Sequence, residues 1–142
     1  MKLKYILFLF LIALFSNCNK NNADDIYTSI PEVEVDIFLN LNEPSNYNLT
    51  YVGGWIYIPG GSRGIIVYRL QDSFIAFERH TPYQSEKTCA FVVVDSTDLY
   101  AIDQCSESTF LLLDGSVTKG PAAIPLKRYR TSIQSDVLRV FN

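Results

Sequence analysis

From Val33 onward the apolar residues fall on alternate positions or in short runs cut by Gly, Pro, Asn and Asp, and nowhere on a helical stripe. Val33, Val35, Ile37, Leu39 and Leu41 alternate with Glu34, Asp36, Phe38 and Asn40, the period of a half-buried strand. Residues 42–48 read as a polar loop. Residues 55–58 form a strand stopped by Pro59, Gly60, Gly61 and Ser62. Residues 64–70 and 74–77 form a hairpin across Gln71, Asp72 and Ser73. Residues 89–95, 99–102 and 109–113 are further short strands, the last followed by the turn signal Asp114-Gly115. Residues 126–133 and 137–141 make a closing hairpin. The class is all-β, an antiparallel sandwich or barrel. A chain of 142 residues, 48% hydrophobic, holds one such domain and buries about two thirds of its unfolded surface.

The first residues follow another rule. Lys2 and Lys4 precede an apolar run over 5–15, then Ser16, Asn17 and Cys18. A basic start, a short apolar run and a small-residue exit are the layout of a secretory signal. The run falls short of the roughly 20 apolar residues a spanning helix needs. Residues 14–18 resemble the lipobox of bacterial lipoprotein signals, with Phe15 and Asn17 as departures. On that reading 1–17 is a signal peptide, Cys18 is acylated, 18–31 is a tether and 32–142 is the folded domain. The alternative is ordinary cleavage with Cys18 an incidental thiol. The expected location is the cell envelope, membrane-anchored and facing the periplasm or the surface. Several acyl chains, each methylene worth about 0.8 kcal/mol, would hold a small domain firmly. The net charge of -3 and pI near 5.0 give no footprint for nucleic acid. The sequon Asn48-Leu49-Thr50 would matter only on a eukaryotic secretory route.

The second half carries residues 74–83, Phe-Ile-Ala-Phe-Glu-Arg-His-Thr-Pro-Tyr, and 103–110, Asp-Gln-Cys-Ser-Glu-Ser-Thr-Phe. They resemble the first and second ligand loops of the Rieske iron–sulfur domain family. Leu113-Asp114-Gly115-Ser116, Lys119-Gly120-Pro121-Ala122-Ala123-Ile124-Pro125-Leu126 and Tyr129 resemble the proline loop that covers the cluster there. The resemblance spans about residues 54–141. It implies a Rieske-like antiparallel fold and, for an intact member, a [2Fe-2S] electron-transfer protein of ferredoxin type.

The ligands depart from the pattern. A Rieske centre needs two Cys on one iron and two His on the other. The resemblance puts Thr81 and Asp103 at the two Cys positions, and Tyr83 and Ser106 at the two His positions. The chain has one His and three Cys in all, so one chain cannot supply the set. No cofactor is expected, and a cluster only if a second chain provides ligands. Respiratory Rieske proteins carry an extra disulfide between the two loops. The resemblance therefore implies a Cys89–Cys105 bridge, which an oxidising compartment favours. Two unpaired thiols are the alternative.

Other chemistry is thinner. His80 with Glu78, Asp103 and Glu107 is a candidate non-standard metal site, against the plainer reading of a solvated loop tip. Ser106 and Ser108 near His80 lack a nucleophile elbow or an oxyanion hole. Trp55, Tyr57 and Tyr68 read as core or sheet-face packing. Lys127, Arg128 and Arg130 read as a solvated strand edge. The expectation is a non-enzyme: a cluster-free binding or structural module, stapled by a disulfide, that meets an unidentified protein partner through 78–88 and 103–109.

Overall fold

The computed structural model describes Tyr27 and residues 29–142. The expected signal peptide over 1–17, Cys18 and most of the expected tether lie outside the described residues. Among those described, ten strands form two antiparallel sheets. They are β1 (Asp36–Asn40), β2 (Trp55–Ile58), β3 (Ile65–Arg69), β4 (Phe74–Glu78), β5 (Val92–Val94), β6 (Tyr100–Asp103), β7 (Thr109–Leu111), β8 (Val117–Lys119), β9 (Arg128–Gln134) and β10 (Val137–Phe141). The larger sheet runs β1-β10-β9-β4-β3-β2 and the smaller β5-β6-β7-β8. The all-β antiparallel class read from the sequence is the observed one.

The alternating runs explain the larger sheet. Val35, Ile37 and Leu39 point to one face with Leu138, Val140, Tyr129, Ala76, Val67 and Ile65, and Leu49 closes that cluster. The sheet curls around it into a half-barrel. A Cβ on Gly60, in the turn after β2, would lie 2.8 Å from Ile37 Cδ1 of β1, although these strands are the two ends of the sheet. The opposite face of β3 and β4 carries Ile66, Tyr68, Ile75 and Phe77. It packs on Val92, Val94, Ala101, Phe110 and Leu112 of the smaller sheet and the turn after it. β3 and β4 are buried on both faces, and each large side chain so buried contributes roughly 2–3 kcal/mol. Over β9, β10 and β1 no strand among the described residues covers that second face, and Phe38, Arg128 and Arg130 are exposed there.

Some elements differ from expectation. Residues 42–48 are not wholly loop, because Pro44–Thr50 is a 3-10 turn with Asn46 and Leu49 buried. The strand expected over 89–95 shrinks to Val92–Val94, since the backbone up to residue 90 is in turns, with Lys87 N donating to Gln84 O and Ala90 N to Lys87 O. β8 was not foreseen. The basic run is not an edge: β9 lies between β10 and β4, Lys127 is 6% exposed, and Lys127 Nζ bonds Glu32. Tyr68 is buried as expected, and Trp55 and Tyr57 bridge the sheets through Asp98 and the Val94 N–H.

Candidate functional site

Three loops meet at one end of the sandwich. The first, residues 79–91, joins β4 to β5; the second, 104–108, joins β6 to β7; the third, 120–127, precedes β9 and contains the cis peptide Gly120–Pro121. β4 continues its pairing past Glu78: His80 bridges Phe91, and Val92 N donates to Arg79 O. The first two loops are tied by a hydrogen bond from Gln104 N to Phe91 O and by the Cys89–Cys105 disulfide, with Cα atoms 5.1 Å apart. The cross-link stands where the resemblance implied it.

The root of the first loop is organised by a buried carboxylate. Glu78 is 1% exposed. Its Oε2 accepts from Ser62 N (2.7 Å) and Tyr129 Oη (2.8 Å), and its Oε1 from Arg63 N (3.0 Å) and His80 N (2.9 Å). Four donors compensate the cost of burying the group. Burial and the neighbouring carboxylate push the Tyr129 phenol far above its usual range. Gly61 is required beside them. Its φ is +60°, and a Cβ there would lie 2.2 Å from Glu78 Oε2.

His80 is 4% exposed and both ring nitrogens are engaged. Nε2 lies 2.8 Å from Ser85 O, a pure acceptor, so Nε2 carries a proton; Nδ1 lies 2.8 Å from Ser62 Oγ, which donates to it when the ring is neutral. Arg63 completes the clamp. Its Nη1 donates to the carbonyls of Lys87, Thr88 and Ala90, and its Nη2 to Ser85 O.

The second loop is closed by a chain of hydroxyls. Asp103, fully buried, accepts from Cys105 N at Oδ1 and from Ser106 Oγ at Oδ2, 2.6 Å away. Ser106 and Ser108 oxygens are 2.8 Å apart, and Ala122 N donates to Ser108 Oγ at 2.9 Å. One proton direction satisfies the whole relay: Ala122 N–H to Ser108, Ser108 to Ser106, Ser106 to Asp103. It ties the third loop to the second.

The four positions taken from the resemblance do not make a donor set for two irons and two sulfides. Thr81 is fully buried, and its hydroxyl faces Tyr83 O at 3.4 Å. Asp103 and Ser106 are bonded to each other. Tyr83 is half-buried beside Pro82, Pro121, Ala123 and Ile124, around an apolar notch of about 180 Å³. A Rieske iron wants thiolate or imidazole, and none of the four offers either. The residues of the alternative metal site at His80 are not brought together around its ring. Glu78 bonds the His80 backbone and not the ring, Asp103 is spent on its own loop, and Glu107 lies 3.9 Å from Lys119. Among the described residues no group of three or more His, Cys, Asp or Glu side chains could hold an ion. The His80 ring nitrogens meet Ser62 Oγ and Ser85 O, and neither meets Ser106 or Ser108.

Sequence reasoning missed Arg63, Ser62 and Ser85, which carry no motif. It also placed Ser29 and Ile30 in the tether. Ile30 is 3% exposed, Ser29 Oγ reaches Pro82 O and Ser29 O accepts from Ser85 Oγ, so this segment packs on the first loop. An apolar Ile between Ser and Pro, just before the strand pattern, was the available signal.

No family model matches the chain, and no curated protein does. Solved structures do. The ferredoxin of carbazole 1,9a-dioxygenase from Nocardioides aromaticivorans IC177 is 16% identical, over 66% of this chain and 91% of that one, with a TM-score of 0.46. The terminal oxygenase of carbazole 1,9a-dioxygenase from Novosphingobium sp. KA1 is 12% identical, over 84% of this chain and 32% of that one, with a TM-score of 0.47. A complex of reduced oxygenase and oxidized ferredoxin in carbazole 1,9a-dioxygenase gives 17%, 63%, 82% and 0.47 for the same quantities.

Proposed function

We propose that this chain is an exported, lipid-anchored, Rieske-like β domain without a cluster, and that its two former ligand loops bind a protein partner. The motif order supports the fold assignment: two loops at the ends of hairpins, then a proline loop, then the closing hairpin, all meeting at one end of the molecule. The observation that carries the reading is that the loop end is closed by its own polar groups. Asp103, Ser106 and Ser108 satisfy one another, and Glu78, His80, Ser62 and Arg63 lock the first loop. A tip so held is preorganised, which lowers the entropic cost of association. The apolar notch at Tyr83 and Ile124 gives it a feature to be recognised.

Two experiments test the two halves. A photo-crosslinking residue at Glu86 or Gln104, both exposed, should capture a discrete partner in intact cells, whereas one at Ser45 should not. Capture of the same partner from Ser45 alone would overturn the assignment of the loops. Cys18→Ser should move the protein from the membrane to the soluble fraction. Retention in the membrane would overturn the lipid anchor. An oxidised cluster absorbs in the visible, so a coloured preparation would return the chain to the electron-transfer reading.

A further inference from the structure

Among the described residues, the second face of β9, β10 and β1 is left open. Strand parity puts Arg128, Arg130 and Ser132 of β9 on it, with Arg139 and Phe141 of β10 and Asp36 and Phe38 of β1, since Arg130 is opposite Phe141 and Arg139 opposite Phe38. The guanidinium of Arg139 lies 4.6 Å from the Phe141 ring centre and 5.4 Å from that of Phe38, and Arg130 lies 4.8 Å from Phe141. Phe38 is 61% exposed. Arg139 is partnered by Asp36, at 2.6 Å. Among the described residues Arg128 and Arg130 have no acidic partner. Three open depressions of about 430, 420 and 470 Å³ follow one another along β9, the first two sharing Arg128 and Arg130 and the third bounded by Phe38, Ser132, Gln134 and Arg139.

We propose that this face binds a linear acidic polysaccharide, a uronate chain, laid along β9. The face carries Arg128, Arg130 and Arg139 against Asp36, with Glu32 at the rim bonded to Lys127, so it is locally positive on a chain whose net charge is -3. Arg128 and Arg130 sit two residues apart on one face, about 7 Å by strand rise, and each can take a carboxylate with two parallel N–H donors. The Phe141 ring face holds the Arg130 guanidinium in place, while Arg139 Nε and Nη2 donate to Asp36. Phe38 offers an exposed ring for the apolar face of a sugar, and Ser132 and Gln134 offer hydrogen bonds to its hydroxyls. A single small anion would need one deep pocket; a row of shallow depressions with repeated donors suits an extended polymer. The site is separate from the loops, so its failure and theirs are distinguishable.

The test is affinity electrophoresis of the full chain in gels containing polygalacturonate, dextran or neither, with a second arm on phosphatidylglycerol vesicles. The wild type should be retarded by polygalacturonate and not by dextran, and the effect should fall as salt rises. Arg128→Gln with Arg130→Gln should weaken that retardation at least tenfold with an unchanged melting temperature. Phe38→Ser should weaken it while leaving both charges in place. Absence of retardation, equal retardation by dextran, full retention in the double variant, or binding to vesicles without binding to polygalacturonate would each overturn the proposal.

Discussion

Glu78 is the residue on which the loop end turns. Its four donors come from the turn after β2, the first loop and β9, so one side chain couples three segments far apart in sequence. Glu78→Ala strands those donors in a buried place and should cost about 3 kcal/mol or more, as read by denaturant unfolding. Tyr129→Phe removes one bond to a charged acceptor and should cost about 2 kcal/mol. The Tyr129 phenol is raised by burial and by Glu78. It therefore binds its proton more tightly folded than unfolded. That contribution is fully present below the unfolded value near 10 and is lost as pH rises above it toward the folded value. Unfolding measured from pH 9 to 11 should show a steeper loss in the wild type than in Tyr129→Phe. Equal slopes would remove the coupling. None of this was legible in the chain. A Glu at a strand end reads as solvated, and its burial depends on Gly61 and Tyr129, which sit 17 residues before it and 51 after it.

Elements were more legible than the bonds between them. β2, β3, β4 and the closing hairpin follow alternation or turn signals that the chain states locally, and the structure places them within a residue or two. β8 was missed because Thr118 and Lys119 are exposed and polar, leaving Val117 as its one apolar residue. The 3-10 turn was missed because Asn46, which it buries, donates to Asn40 O and reads as a loop residue. The Cys89–Cys105 bridge came through the family resemblance and not from any local pattern. It closes a separation of 16 residues, for which the chain-entropy model gives roughly 3 kcal/mol. The Cys89→Ser, Cys105→Ser double variant should lose stability on that scale, and mass spectrometry should show a two-hydrogen gain at these cysteines on reduction. Arg63→Lys offers one ammonium in place of a fork that spans four carbonyls. It should loosen residues 84–90, seen as faster amide exchange there with the core unchanged.

At the scale of the molecule, the described residues form a curled six-stranded sheet with a smaller sheet over half of one face. That division gives it two surfaces of different character. The loop end is neutralised internally by hydroxyls, backbone donors and a disulfide. The uncovered strands gather arginine and phenylalanine. The order of loops was legible because a resemblance survives in the turn residues, while the polar closure of the first loop involves Ser62 and Ser85, residues with no signature of their own. The central claim is that the loop end is held by this closure and not by iron. The most direct test is iron and acid-labile sulfide content of the chain purified without oxygen. Both should be far below one per chain, before and after incubation with ferrous iron and sulfide. Two irons and two sulfides per chain, retained through gel filtration, would contradict it.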